Sequence, residues 1–322
     1  MKFGLLQFFS WTRRVPLETV YQRALERIEI MDRTGYDAVW LAEHHFNTYS
    51  VCPSTTLMGM QVAARTQRLR IGTAVTLAAL YHPLRLAEEL ALLDVLSGGR
   101  LNWGAGRGYD ATEFRAFGVA PEVSAERMLE CVEIVLAAFR DGRVNHRGKH
   151  WVFEDVEVLP KPLQRPHPPL WLAATSPDSV VRAAESGFSI LMDPHSSHAE
   201  IGRKHALYRD TLAKHGHSYA GREIPIARMI AVAPTDAAAL ETARAGAQWT
   251  VGSYAKLPGT PDDPSAAVDR YVNEVVIHGS PERMVDEIQS LRESIGLDYL
   301  MCAPLSHETF MLFTEQVLPK LL

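Results

Sequence analysis

Cysteine is scarce in this chain. Cys52, Cys131 and Cys302 are spread through 322 residues with no Cys-x-x-Cys pair. That excludes a disulfide framework and a zinc knuckle, and points to reduced thiols in a cytoplasmic protein. An excess of positive charge is also missing: 33 Lys and Arg stand against 38 Asp and Glu, a net charge of −5 with no basic block. A phosphate-neutralising face for nucleic acid is therefore not expected. No apolar run approaches the roughly 18 residues a membrane span requires. The apolar start, Met1 to Gln7, is short and lacks a small-residue cleavage site, so it reads as a first strand and not as a signal peptide. What is present, 47% apolar and 22% charged residues, is the composition of a globular chain with a sizeable core.

Strand-like and helix-like segments alternate almost from end to end. Strand signals fall at 3–8, 38–42, 69–77, 100–104, 170–174, 188–192, 226–233 and 299–303, with amphipathic stretches between most of them. Alternation of this kind implies a parallel sheet. About eight such units, with no break in composition, predict an α/β fold of one domain: a (β/α)8 TIM barrel with insertions. A doubly wound open sheet has the same fully apolar strands and stays open as the rival. Residues 144–159 carry the turn and strand signals of an inserted hairpin. Residues 255–270 are polar and proline-rich, and read either as a mobile lid or as an unstructured loop.

Three places could carry chemistry. The second strand ends in Glu43-His44-His45, and ionisable groups at the C-terminal end of a barrel strand sit where catalytic groups gather. Side chains alternate along an extended chain, so Glu43 and His45 share one side and His44 takes the other. Adjacent histidines splay apart, so a metal would need ligands from elsewhere, for which His82, His195 and His307 are the candidates. After the fourth strand, Gly104-Ala105-Gly106-Arg107-Gly108-Tyr109 allows close backbone approach to a ligand and offers a guanidinium for phosphate. Its spacing is not the dinucleotide fingerprint, and a tight loop with a structural arginine reads as well. After the fifth strand, Thr175-Ser176-Pro177 starts a helix whose free N–H groups suit an anion or merely their own cap. Small residues from Gly72 to Thr76 leave room for a flat ring against the backbone, or simply pack in the core.

Taken in order, several pieces resemble the bacterial luciferase-like flavin monooxygenase family. They are 35–46 (GYDAVWLAEHHF), 71–75 (IGTAV), His82-Pro83 with Arg85, 92–100 (LLDVLSGGR), 104–109 (GAGRGY) and 113–119 (EFRAFGV). Gly279-Ser280-Pro281-Glu282 and Val317-Leu318-Pro319 continue the match towards the end. The resemblance implies a (β/α)8 barrel, reduced FMN as cosubstrate and O2 as oxidant. It further implies a flavin C4a-(hydro)peroxide that oxidises a small organic substrate, a separate NAD(P)H-dependent flavin reductase, and a homodimer. The family's essential histidine falls on His44. Its phosphate grip falls on Arg107, Thr175 and Ser176, and its non-proline cis peptide under the isoalloxazine ring on Ala74-Val75. Glu43 and Tyr109 complete the expected cofactor set, with no metal. The light-emitting members carry a cysteine where Gly106 stands and a glutamate at Ala174-Thr175, which argues against light emission and a long-chain aldehyde substrate. Two alternatives are a deazaflavin-dependent dehydrogenase of the same superfamily and a flavin-binding protein without turnover.

Overall fold

The computed structural model of the protein describes residues 1–11, 14–253 and 261–322. Its first half runs β1 (Lys2–Gln7), α1 (Leu17–Arg33), β2 (Ala38–Leu41), α2 (Thr55–Arg65), β3 (Arg70–Thr73), β4 (Thr76–Leu77) and α3 (Pro83–Leu96). It continues through β5 (Leu101–Gly106), α4 (Ala111–Phe117) and α5 (Ser124–Arg140) to an antiparallel hairpin of β6 (Val144–Arg147) and β7 (Val152–Val156). The second half begins with β8 (Leu170–Ala174), α6 (Pro177–Glu185), β9 (Ser189–Met192), α7 (His198–Lys214), β10 (Pro225–Val232) and α8 (Asp236–Ser253). Then come α9 (Pro264–Glu274), β11 (Ile277–Gly279), α10 (Pro281–Ile295), β12 (Tyr299–Pro304), α11 (His307–Leu312) and, after one π-helical turn, α12 (Leu318–Leu321).

Hydrogen bonding orders the main sheet β11-β10-β12-β1-β2-β3-β5-β8-β9, and β10 also pairs with β9, so the sheet returns on itself. The pairs β1–β12, β2–β3, β3–β5, β5–β8 and β9–β10 are parallel. The fold is thus a (β/α)8 barrel and not an open doubly wound sheet. A closed parallel sheet with helices outside explains the apolar strands: β2, β5 and β10 are buried at every residue.

The chain groups into two compact units, one of residues 7–33 and 38–173, the other of residues 1–6, 34–37 and 174–322. In the first, Trp40 of β2 stands edge-on to Trp171 at 5.3 Å and faces Gly72 of β3, its register partner. A β-carbon at Gly72 would lie 2.3 Å from the indole, so the glycine makes room for that ring. The motif around Ser97-Gly98-Gly99-Arg100 holds this unit together and faces no site. Arg100 donates to the carbonyls of Ala63, Leu69 and Ser97, while buried Asp94 accepts from the backbone and side chain of Gln164.

The second unit has a buried charge cluster beyond β9. Asp193 Oδ2 lies 2.9 Å from Lys204 Nζ, and its Oδ1 accepts the N–H groups of His195 and Ser196 at 3.0 and 2.7 Å. Arg228 of β10, wholly buried, donates to the carbonyls of Ser196 and Asp193.

Four expectations from the sequence need correction. The strand signal at 69–77 is two short strands, β3 and β4, parted by a cis peptide at Ala74-Val75. β5 runs on past Gly104 to Gly106, so Gly106 belongs to the strand and not to a loop. A helix, α4, starts soon after the glycines. Of the stretch 255–270, residues 255–260 lie outside the described residues, and residues 264–270 are helical. Asp263 accepts the Ala266 N–H at 2.7 Å and Pro264 takes the first helical position, so α9 starts there.

Candidate active site

The end of β2 delivers Glu43, His44 and His45 into the first unit with the alternation an extended chain dictates. Glu43 is buried: its Oε1 shares a hydrogen bond with His45 Nε2 at 3.1 Å, and its Oε2 accepts from Tyr81 Oη at 3.1 Å. Burial pushes this carboxyl above the usual carboxylate range, and the donors from His45, Tyr81 and the Leu77 backbone pull the other way. The same environment drives the neighbouring Cys52 thiol up to about 12, by burial first and by Glu43 second, so this cysteine is no nucleophile.

His44 points elsewhere. Its backbone N–H donates to the Cys52 carbonyl at 3.1 Å. Its ring is stacked on Phe8 (6.4 Å between centroids) and met edge-on by Tyr49 at 5.3 Å and Tyr109 at 5.9 Å. On the Nδ1 side, Glu113 Oε1 stands 3.5 Å away, and the same oxygen accepts the His45 backbone N–H at 2.8 Å. Nε2 has no partner among the described residues. The imidazole is buried, 9% exposed, with a carboxylate beside Nδ1 and Nε2 unpaired among the described residues, and it can serve as a proton donor or acceptor.

Of the other candidates in this unit, Tyr109 is the one that meets the His44 ring. The Ala74-Val75 peptide is cis, where the resemblance places one, and Ala74 N–H donates to the Leu41 carbonyl at 2.7 Å. A β-carbon at Gly106 would come within 2.4 Å of Val75 Cγ2, so Gly106 lets the Val75 side chain lie against β5. Arg107 is exposed and donates to Ser124 Oγ at 3.1 Å, and Tyr109, 56% exposed, follows Gly108 in its left-handed conformation (φ 81°). Thr175 and Ser176 belong to the second unit. Both are exposed, and Ser176 caps α6 by accepting the Ser179 N–H at 3.3 Å.

Glu113 and Tyr81 were not legible as site residues. The nearest signal for Glu113 was its place three residues after Asp110, which caps α4. Tyr81 gave none. Among the described residues no three His, Cys, Asp or Glu are grouped to hold an ion. His82 packs edge-on against Phe153, and His195 Nδ1 is 2.7 Å from Tyr271 Oη. Among the described residues no helix is long and apolar enough to cross a membrane.

The barrel and its acid–base cluster define a class of α/β enzyme scaffold, and sequence comparison narrows it. The family model of luciferase-like monooxygenases matches residues 1–299, and the chain belongs to that family. The uncharacterized protein y4wF of Sinorhizobium fredii is 43% identical over 170 residues, 53% of this chain and 50% of the relative. The oxygenase component of the flavin-dependent trigonelline monooxygenase of Acinetobacter baylyi is 32% identical over 177 residues, 54% of this chain and 49% of the relative. The chain thus spans about half the length of these curated relatives in the matches. Among solved structures, monooxygenase RslO1 from Streptomyces bottropensis is similar over 100% of both chains, with a TM-score of 0.88 at 27% identity.

Proposed function

We propose that the protein is the oxygenase component of a two-component flavin monooxygenase, located in the cytoplasm. It takes reduced FMN from a separate NAD(P)H-dependent reductase and uses O2 to oxidise a small organic substrate. The observation that carries this reading is His44: a ring fixed on three sides, with Nε2 free, in a chain of the luciferase-like family. The residues present fit a flavin. The small side chain of Ala74 and the flank of Val75, seated where Gly106 makes room, offer an apolar shelf for a planar ring. Arg107 offers an exposed guanidinium for a phosphate, and Tyr109 an exposed ring beside His44.

When bound, the reduced flavin supplies the two electrons that let O2 deliver one oxygen atom to the substrate and release the other as water. His44 holds or moves a proton at Nε2 as that chemistry proceeds. Glu43 is enclosed by His45 and Tyr81, and supports the rim through them without touching a ligand. The assembly we propose is a homodimer. The packed helices α2 and α3 offer apolar side chains to a second copy, with Leu57 72% exposed and Leu92 and Leu96 exposed one turn apart.

Arg107 gives the test of the cofactor. Arg107→Ala removes a charge-assisted contact worth about 1.5–3 kcal/mol, so FMN should bind about tenfold or more weakly by flavin-fluorescence titration. Riboflavin, which has no phosphate, should change by less than about twofold. Equal losses for both would refute the phosphate role. Tight binding of a deazaflavin coenzyme in place of FMN would redirect the assignment to hydride transfer.

A further inference from the structure

Glu113 is a buried charge beside His44. A glutamate at the third position of a helix ordinarily turns back to complete the cap. Here Asp110 alone caps α4, accepting the N–H groups of Thr112 and Glu113. The Glu113 carboxylate, 2% exposed, turns instead to the two histidines. Its Oε1 accepts the His45 N–H at 2.8 Å and stands 3.5 Å from His44 Nδ1. Which imidazole nitrogen carries the proton is set by the partner of the other. A carboxylate beside Nδ1 favours the proton there and leaves the lone pair on Nε2. The backbone anchor to Cys52 and the three surrounding rings keep the imidazole from turning away.

We propose that Glu113 is a positioning residue, which fixes the tautomer and orientation of His44 so that Nε2 is the nitrogen that exchanges protons. This rests on the acid–base reading of His44, but its first test does not depend on turnover. Side-chain nitrogen NMR of the full-length protein, with the His44 signals assigned from His44→Gln, should show neutral His44 protonated at Nδ1. In Glu113→Gln the signal should move to the Nε2-protonated form that dominates for free imidazole. That variant keeps an acceptor for the His45 N–H, and an unchanged melting temperature confirms its fold. Glu113→Asp should recover part of the Nδ1 form.

In turnover, Glu113→Gln should lower kcat about 10–100-fold, the usual cost of losing a group that orients a catalytic ligand or base. KM and FMN affinity should stay within about twofold. Wild-type His44 protonated at Nε2, or a tautomer unchanged in Glu113→Gln, would overturn the proposal. The NMR change without any flavin-dependent turnover in the wild type would uphold the positioning role and refute the monooxygenase reading.

Discussion

His44→Ala is expected to abolish most reduced-flavin-dependent turnover of whichever substrate the wild type oxidises. The loss should be about 10²–10⁴-fold, the range for removing a positioned general acid or base. FMN binding should be nearly unchanged, because the phosphate and ring contacts proposed for the cofactor lie on Arg107, Ala74 and Val75. The vacated space is bounded by the rings of Phe8, Tyr49 and Tyr109, and an unchanged melting temperature checks that the fold survives. Paired measurements, product formation against flavin affinity, separate the two effects. Turnover within twofold of wild type would remove His44 from the chemistry.

Asp193→Asn should have the largest effect on stability. The substitution leaves an oxygen for the N–H groups of His195 and Ser196 but strips the anion from its ion pair with Lys204 and from the field of Arg228, whose bond to the Asp193 carbonyl remains. Breaking one side of a buried ion pair costs about 3–5 kcal/mol, since the remaining charge stays buried without its partner. The pH dependence follows from the direction of the shift. Burial raises the Asp193 carboxyl, but Lys204, Arg228 and His195 together hold it below the ordinary value. A carboxyl depressed by folding contributes stability that is complete above its unfolded value, about pH 4. That contribution is lost as pH falls through the folded value. Urea unfolding should therefore show a wild-type advantage that is full at pH 7 and shrinks below about pH 4. An advantage that did not change with acid would show that the cluster is held by hydrogen bonding and not by charge.

The barrel was legible because a closed parallel sheet buries both faces of its strands, and apolar runs such as 38–42 and 229–233 report that directly. The elements that escaped are those set by tertiary context. β11 has three residues and forms only against β10, and α4 has seven residues behind a glycine-rich strand. The cap Asp263-Pro264 was readable as a helix start, yet the surrounding prolines and acidic residues masked it. In the site, His44 stood out because it follows an apolar strand. Glu113 did not, because its bond to the His45 backbone spans 68 residues and no local pattern records it. Glu43 lies at the same limit: no local pattern records its bond to Tyr81, 38 residues away.

The central claim is that this protein manages the reaction of reduced FMN with oxygen. Anaerobically reduced FMN, bound to the full-length protein and mixed with air, tests it without knowledge of the substrate. The return of oxidised flavin absorbance should be markedly slower than for free reduced FMN at the same oxygen concentration, and should change in His44→Ala. Reoxidation at the rate of the free flavin, in the presence of saturating protein, would contradict the account.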